Sequence, residues 1–333
     1  MKKVIFIGML ISLLFASRVW AGMPILQITG SVKHDLILSV NDLYQFQSVQ
    51  VRLNEVTREG EFKGVFLYRG VPLQTLLEVA QIQKKNSDFN KPVDLAIVIT
   101  NKSGQKVLLS WGEIFYHNPA AIIIAYTAMP IMPHKKCQDC HRPSFYQPYL
   151  KPLKRHIGFP RLVIANDFYT DRCLEEITKI EVVDLKPKIE TKRTNKLFSS
   201  QFTVVVNKKE VLKISDLSNF AHKTYKIKVV GEGKGYHGVK TFSGVPLVDI
   251  LKKAGMKEGL NAAILISAPD GYRSFISAGE LFLTTSGQKI IIADKCNGHP
   301  LQKDGKFILV LPDDLFADRW VKAVAKIEVI EVN

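Results

Sequence analysis

The chain carries one pattern twice. Asp42-Leu43, Gly64-Val65 and Gly70-Val71-Pro72-Leu73 recur without a gap as Asp216-Leu217, Gly238-Val239 and Gly244-Val245-Pro246-Leu247, each 174 positions further on. Ala96-Ile97-Val98-Ile99 and Gly112-Glu113-Ile114-Phe115 return as Ala263-Ile264-Leu265-Ile266 and Gly279-Glu280-Leu281-Phe282 at an offset of 167. The first copy therefore holds seven more residues, placed in the polar stretch Lys84 to Lys91. Asp171-Arg172 and Lys179-Ile180-Glu181-Val182 return at 318–319 and 326–329, an offset of 147. Such a chain is expected to fold as two like units, and 333 residues is the length of about two domains. The expected division is a first domain over 22–184, a basic linker over 185–200 and a second domain over 201–333. Asp184 to Lys196 reads as linker because it has five Lys/Arg, one Pro and no sustained apolar period.

Within each copy the periodicity is mixed. Gln50-Val51-Arg52-Leu53 and Tyr225 to Val230 read as strands, and Ala96 to Thr100, Ile122 to Ala125, Ala263 to Ser267 and Lys289 to Ala293 as buried ones. After each Gly-Val-Pro-Leu the apolar residues Leu73, Leu76, Leu77, Ala80 and Leu247, Ile250, Leu251, Ala254 follow helical spacing, with Pro where a first turn tolerates it. The expected fold class is α+β, with mixed sheets and short helices.

The first residues are read as a leader. Lys2 and Lys3 precede the apolar stretch Val4 to Ala16, and Val19-Trp20-Ala21 places small residues where a signal peptidase cuts, before Gly22. Residues 1–21 are thus expected to be a signal peptide, with an uncleaved anchor as the alternative, and the mature protein to be periplasmic. Removing Lys2, Lys3 and Arg18 lowers the formal charge from +15 to +12, still basic. No later segment approaches the roughly 18 apolar residues of a spanning helix, so the membrane is involved only through export.

Arg69-Gly70-Val71-Pro72-Leu73, Ser243-Gly244-Val245-Pro246-Leu247, the turn Pro269-Asp270-Gly271-Tyr272, Asn297-Gly298-His299-Pro300-Leu301 and Gly158-Phe159-Pro160-Arg161-Leu162 resemble the sulfite-oxidase-like molybdopterin-binding family over both copies. The resemblance implies that family's fold and a molybdenum centre held by a cysteine thiolate after the strand that precedes the Gly-Val-Pro-Leu helix. That stretch reads Leu53-Asn54-Glu55-Val56 in one copy and Val230-Gly231-Glu232-Gly233 in the other, without cysteine. On this ground the sequence argues against molybdopterin.

Between Ala125 and Gly158 the first copy gains 21 residues, an insertion over 126–157, and inside it stands Cys137-Gln138-Asp139-Cys140-His141. Two thiols three positions apart can each form a thioether with a haem vinyl group, and the following imidazole can ligate the iron, so CxxCH reads as a site of covalent haem c. Cys137 and Cys140 are the expected attachment points, His141 the proximal ligand, and Met132 or His134 the candidate distal ligand, with Met129, His156 and His117 also nearby. A disulfide or redox dithiol and a zinc site completed by His134 and His156 are the alternatives. Tyr126, Phe145, Tyr146 and Tyr149 could cover a porphyrin, and Lys135, Lys136, Arg142, Lys151, Lys154 and Arg155 could steer an acidic redox partner. No stripe of basic and stacking residues points to nucleic acid.

The reading these features support first is an exported c-type haem protein on a duplicated sulfite-oxidase-like scaffold, in periplasmic electron transfer or redox binding. A molybdopterin-dependent oxidoreductase with an internal haem, and a non-catalytic binding module with a structural CxxC, are the alternatives.

Overall fold

Alternating side chains build the outer strands. In Val49–Val56 the residues Val51, Leu53 and Glu55 turn inward and Gln50, Arg52 and Asn54 outward, and Lys223–Val230 repeats this with Ile227 and Val229 inside. The structure is a computed structural model that describes residues 25–131 and 155–331, apart from positions 86, 188, 190, 192–196, 232, 234, 258 and 304. Its described strands form four small sheets.

Two of these have five strands. One runs in the order Leu36–Ser39, Ile25–Gly30, Ile177–Asp184, Leu95–Asn101, Lys106–Ser110, the other Lys209–Ile214, Phe202–Val206, Lys326–Glu331, Ala262–Ser267, Arg273–Ser277. In each, a single parallel pairing, Gln27 with Lys179 and Thr203 with Lys326, lies among antiparallel ones. The register follows the offsets of the repeated blocks. Ala96 faces Ser110 as Ala263 faces Ser277, and Ile99 faces Ile180 as Ile266 faces Ile327. The remaining sheets join Val49–Val56, Phe62–Pro72, Ile122–Pro130 and Arg161–Ile164 in the N-terminal half, and Lys223–Val230, Tyr236–Pro246, Ile291–Cys296 and His299–Pro300 in the C-terminal half, where Ile308–Val310 also pairs with Ile291–Cys296. The Asn297-Gly298 pair turns the last of these hairpins with φ of 49° and 80°.

The central strands Leu95–Asn101 and Ala262–Ser267 are buried almost throughout because both of their faces are covered. Ile97 and Ile99 point into the core of the N-terminal half and Ile264 and Ile266 into that of the C-terminal half. On the opposite face Ala96, Val98 and Leu108 meet Ala263, Leu265 and Phe275. The two five-stranded sheets thus pack on each other. Helix Leu73–Ala80 buries the whole stripe its spacing predicts, and helix Leu247–Lys253 buries Leu247, Ile250 and Leu251, with Ala254 partly buried at its end.

The expected α+β class is corrected here. The protein is mostly β, 46% strand against 17% helix. The helical spacing after Gly-Val-Pro-Leu is real but lasts eight and seven residues, and the other described α-helices have four to six. Between them nearly every apolar run is taken by a strand.

Where the halves meet, charge is buried. Arg172, fully buried, donates to Asp167 from Nε (2.8 Å) and Nη2 (2.7 Å) and to Glu113 Oε2 (2.9 Å). Arg319, also fully buried, donates to Asp314 from Nε (2.7 Å) and Nη2 (2.6 Å), and to both oxygens of Glu280 at 2.7 and 3.1 Å. Two serines cross between the halves: Ser277 Oγ donates to Glu113 at 2.7 Å and Ser110 Oγ to Glu280 at 2.6 Å. The same serines cap the short helices that carry the glutamates, Ser110 accepting from the Glu113 N–H and Ser277 from the Glu280 N–H. Gly112 and Gly279 are required beside them. A Cβ on Gly112 would lie 2.1 Å from Arg319 Nε, and one on Gly279 2.3 Å from Arg172 Cδ.

Removing one arginine leaves two carboxylates buried without their partner. Arg319→Ala is expected to destabilise the chain by about 3–5 kcal/mol, measured by denaturant unfolding. A change below about 1 kcal/mol, the range of exposed pairs, would show that water replaces the guanidinium at no penalty.

Candidate functional site

Each half has a cavity at an equivalent position, beside the end of the strand carrying Asn101 or Ser267 and the turn carrying Asp171 or Asp318. The N-terminal cavity, about 820 Å³, is lined by Thr57, Lys63, Arg155, Arg161, Cys173 and Glu175 among others. The C-terminal one, about 360 Å³, is lined by Lys91, Leu197, Asp270, Tyr272, Ala317, Asp318, Trp320 and Lys322.

The charges of the N-terminal cavity satisfy one another. Glu55, fully buried, receives Tyr68 Oη, pairs with Arg155 and lies 3.1 Å from Arg161 Nη2. Glu175 pairs with Arg155, accepts from Arg161 Nη1 at 2.6 Å and accepts from the Gly158 N–H at 3.0 Å. Burial works to raise the Glu175 carboxyl, but the Gly158 N–H, Arg161 and Arg155 outweigh it and hold it below the usual range. Cys173 is a free thiol whose Sγ accepts from the Ile164 N–H at 3.4 Å, and burial pushes its pKa up to about 11. Such a thiol is protonated and inert at neutral pH.

The polar groups of the C-terminal cavity bond to one another across the two halves. Tyr272 Oη donates to the Asp318 carbonyl at 2.5 Å, and Lys91 Nζ donates to Tyr272 Oη at 3.2 Å and Asp318 Oδ1 at 3.3 Å. Trp320, almost completely buried, gives its indole N–H to the Leu311 carbonyl and sets its ring edge-on to Phe242 at 5.2 Å. Cations, carboxylates and aromatic rings together suit a flat, anionic heterocycle with its own N–H groups. Among the described residues no cysteine lines this cavity.

Residues 192–333 match the oxidoreductase molybdopterin binding domain. The match supports a sulfite-oxidase-like domain in the C-terminal half and a redox role. No curated protein matches the chain. Among solved structures it is similar to the sulfane dehydrogenase SoxCD from Paracoccus pantotrophus, at 11% identity over 93% of this chain and 78% of that one, with a TM-score of 0.32. The expectation against molybdopterin is corrected by the domain match. It rested on the missing metal-ligating cysteine alone, whereas the matched region also contains the turns and packing residues around a cavity whose chemistry suits the organic part of that cofactor.

Met132, His134, Cys137, Cys140 and His141 lie outside the described residues, as do Phe145, Tyr146 and Tyr149 and residues 1–21. Of the neighbours considered with them, Met129 is exposed on its strand and His156 is exposed. Tyr126 is buried, its ring 4.3 Å from that of Tyr44. His117 turns to the junction. With Glu280 and Asp314 it forms, among the described residues, a group whose ligand-type atoms lie within 4.8 Å of one another. Arg319 already fills that space, paired with both carboxylates, so the group reads as an ion-pair network and not as a metal centre.

The His117 Nε2 lies 3.1 Å from Asp314 Oδ1. Burial alone would depress its pKa, but the bond to Asp314 and the charge of Glu280 prevail over it and over Arg319, and raise it above 6.5. A raised folded pKa gives stability that is fully present below the unfolded value and is lost as pH rises through the folded one. The difference in unfolding free energy between the wild type and His117→Asn is therefore expected to be larger at about pH 5.5 than at about pH 8.5. Denaturant melts at both pH values check this, and a difference that does not change with pH refutes it.

Proposed function

We propose that the protein is an exported redox protein whose C-terminal half binds a molybdopterin-type cofactor in the cavity between Lys91, Tyr272, Asp318 and Lys322. The observation that carries the proposal is the match of residues 192–333 to the oxidoreductase molybdopterin binding domain. The donor set agrees with it. Lys91 and Lys322 can neutralise a phosphate, since an ammonium binds phosphate as a point charge. Asp270 and Asp318 offer carboxylates to the N–H edge of a pterin, and Tyr272 and Trp320 offer apolar walls. When bound, the group supplies a metal that takes up and returns electrons. The chain's own part is to orient it, balance its charge and keep water from one side of it.

Two further parts of the reading rest on sequence. The domains are assigned as 22–184 and 201–333, joined by the linker 185–200, and the 1–21 leader directs the chain to the periplasm. The motif Cys137-Gln138-Asp139-Cys140-His141 favours a second redox site, haem c attached to both cysteines with His141 as proximal ligand and Met132 or His134 opposite, passing electrons to an acidic partner protein.

Full-length protein made in a host that synthesises pterin cofactors and attaches haem is expected to carry molybdenum by elemental analysis and a pterin released as a fluorescent oxidation product. Absence of both overturns the cofactor assignment. Mature protein recovered from the periplasm should begin at Gly22. Haem that survives a denaturing gel and disappears in Cys137→Ser is the expected result for the motif, and a colourless wild-type band refutes it.

A further inference from the structure

We infer that the cavity of the C-terminal half is completed by the Lys84–Lys91 segment of the N-terminal half, and that Lys91 is the residue that grips the phosphate of an anionic heterocycle bound there. The inference rests on the cavity assignment proposed above and adds the residue that discriminates for charge.

This stretch is where the N-terminal half holds seven residues that the C-terminal half lacks. The additional chain crosses to the other half and is fastened there at three points. Asp88 receives Arg273 Nη2 at 2.8 Å and Nη1 at 3.2 Å. The Phe89 ring stands edge-on to Tyr272 at 5.3 Å, with the Arg273 guanidinium 4.9 Å from its centre. Lys91 reaches Tyr272 and Asp318. At the base, Lys84, nearly buried, donates to Asp94 at 2.6 Å and to the Lys91 carbonyl at 3.2 Å, and Asp94 also receives Arg273 Nε at 2.8 Å. Arg273 therefore holds the segment from both sides.

Tyr272 and Asp318 are cavity walls, so the segment sets the position of two of them as well as contributing a third. The Lys91 side chain is about half-exposed, 46%. An ammonium has three N–H groups, and Tyr272 and Asp318 accept two, so a ligand phosphate could accept the third. Burial opposes the Lys91 charge, but Tyr272 and Asp318 outweigh it and keep the amine protonated. A ligand phosphate would add a second anion to this amine at the mouth of the cavity, where its flat part can meet Tyr272 and Trp320.

The test uses full-length protein made in a host that lacks pterin synthesis, titrated with inorganic phosphate as wild type, Lys91→Met and Lys91→Arg. Saturable binding is expected in the wild type, weakened at least about tenfold in Lys91→Met, the scale of one charge-assisted hydrogen bond, and largely restored in Lys91→Arg. Unfolding midpoints measured alongside show whether Lys91→Met keeps the fold, and if it does not, the comparison of wild type with Lys91→Arg and Lys91→Gln takes its place. Phosphate binding that is absent, or equal in the wild type and the uncharged variant, overturns the inference. Pterin content from the competent host separates the two claims. Equal pterin in wild type and Lys91→Met leaves the cofactor assignment standing and ends the role of Lys91. A Lys91-dependent phosphate site in a chain that never carries pterin does the reverse.

Discussion

A guanidinium removed from water must find carboxylates, and a carboxylate removed from water must find donors, because an isolated charge in the interior carries a penalty of several kcal/mol. Arg172 and Arg319 meet that demand at the junction, each with an aspartate five residues before it and a glutamate on a short capped helix. Each arginine finds its carboxylates in its own half, and the hydroxyls of Ser110 and Ser277 run across to complete the shells of the glutamates. A network of this kind adds little net stability over an apolar junction of the same shape, but it penalises heavily any arrangement that separates its members. The two five-stranded sheets pack on each other, and their strands Lys106–Ser110 and Arg273–Ser277 end at the two serines of the network.

Two of the repeated blocks are the residues this junction uses. Gly112-Glu113 and Gly279-Glu280, Asp171-Arg172 and Asp318-Arg319 recur at constant offsets, since a Cβ at either glycine would collide with the arginine of the opposite half. The strands around Ala96 and Ala263 were legible as buried runs for a related reason, being covered on both faces. The expected α+β class fails although strands outnumber helices in the sequence pattern, because the helical period at Leu73 and Leu247 belongs to two short segments in a mostly β chain.

The N-terminal cavity was not legible. Its members, Glu55, Arg155, Arg161, Cys173 and Glu175, are spread over 120 positions, and ion pairing across such separations has no periodicity. One trace was available: Arg161 stands in the Gly158-Phe159-Pro160-Arg161 block, a position otherwise occupied by packing residues, and an arginine there needs buried partners. The cofactor expectation failed for a different reason. It rested on one missing thiolate, a single ligand of the metal, whereas the domain match extends over the whole of residues 192–333.

The two cavities show how far equivalent positions can diverge on one framework. Asp171 and Asp318 correspond, but Cys173 is replaced by Trp320, Gln105 by Tyr272 and Glu175 by Lys322. In the N-terminal half the buried arginines are matched by Glu55 and Glu175, so that little uncompensated charge faces a ligand. The C-terminal cavity is lined by two cations, Lys91 and Lys322, and two aromatic rings, Tyr272 and Trp320, and the N-terminal half supplies Lys91 through its additional segment. The buried junction makes this possible. A lysine carried by one half can serve a cavity of the other only if the two are held in one register, and the crossed serine and arginine bonds hold them there.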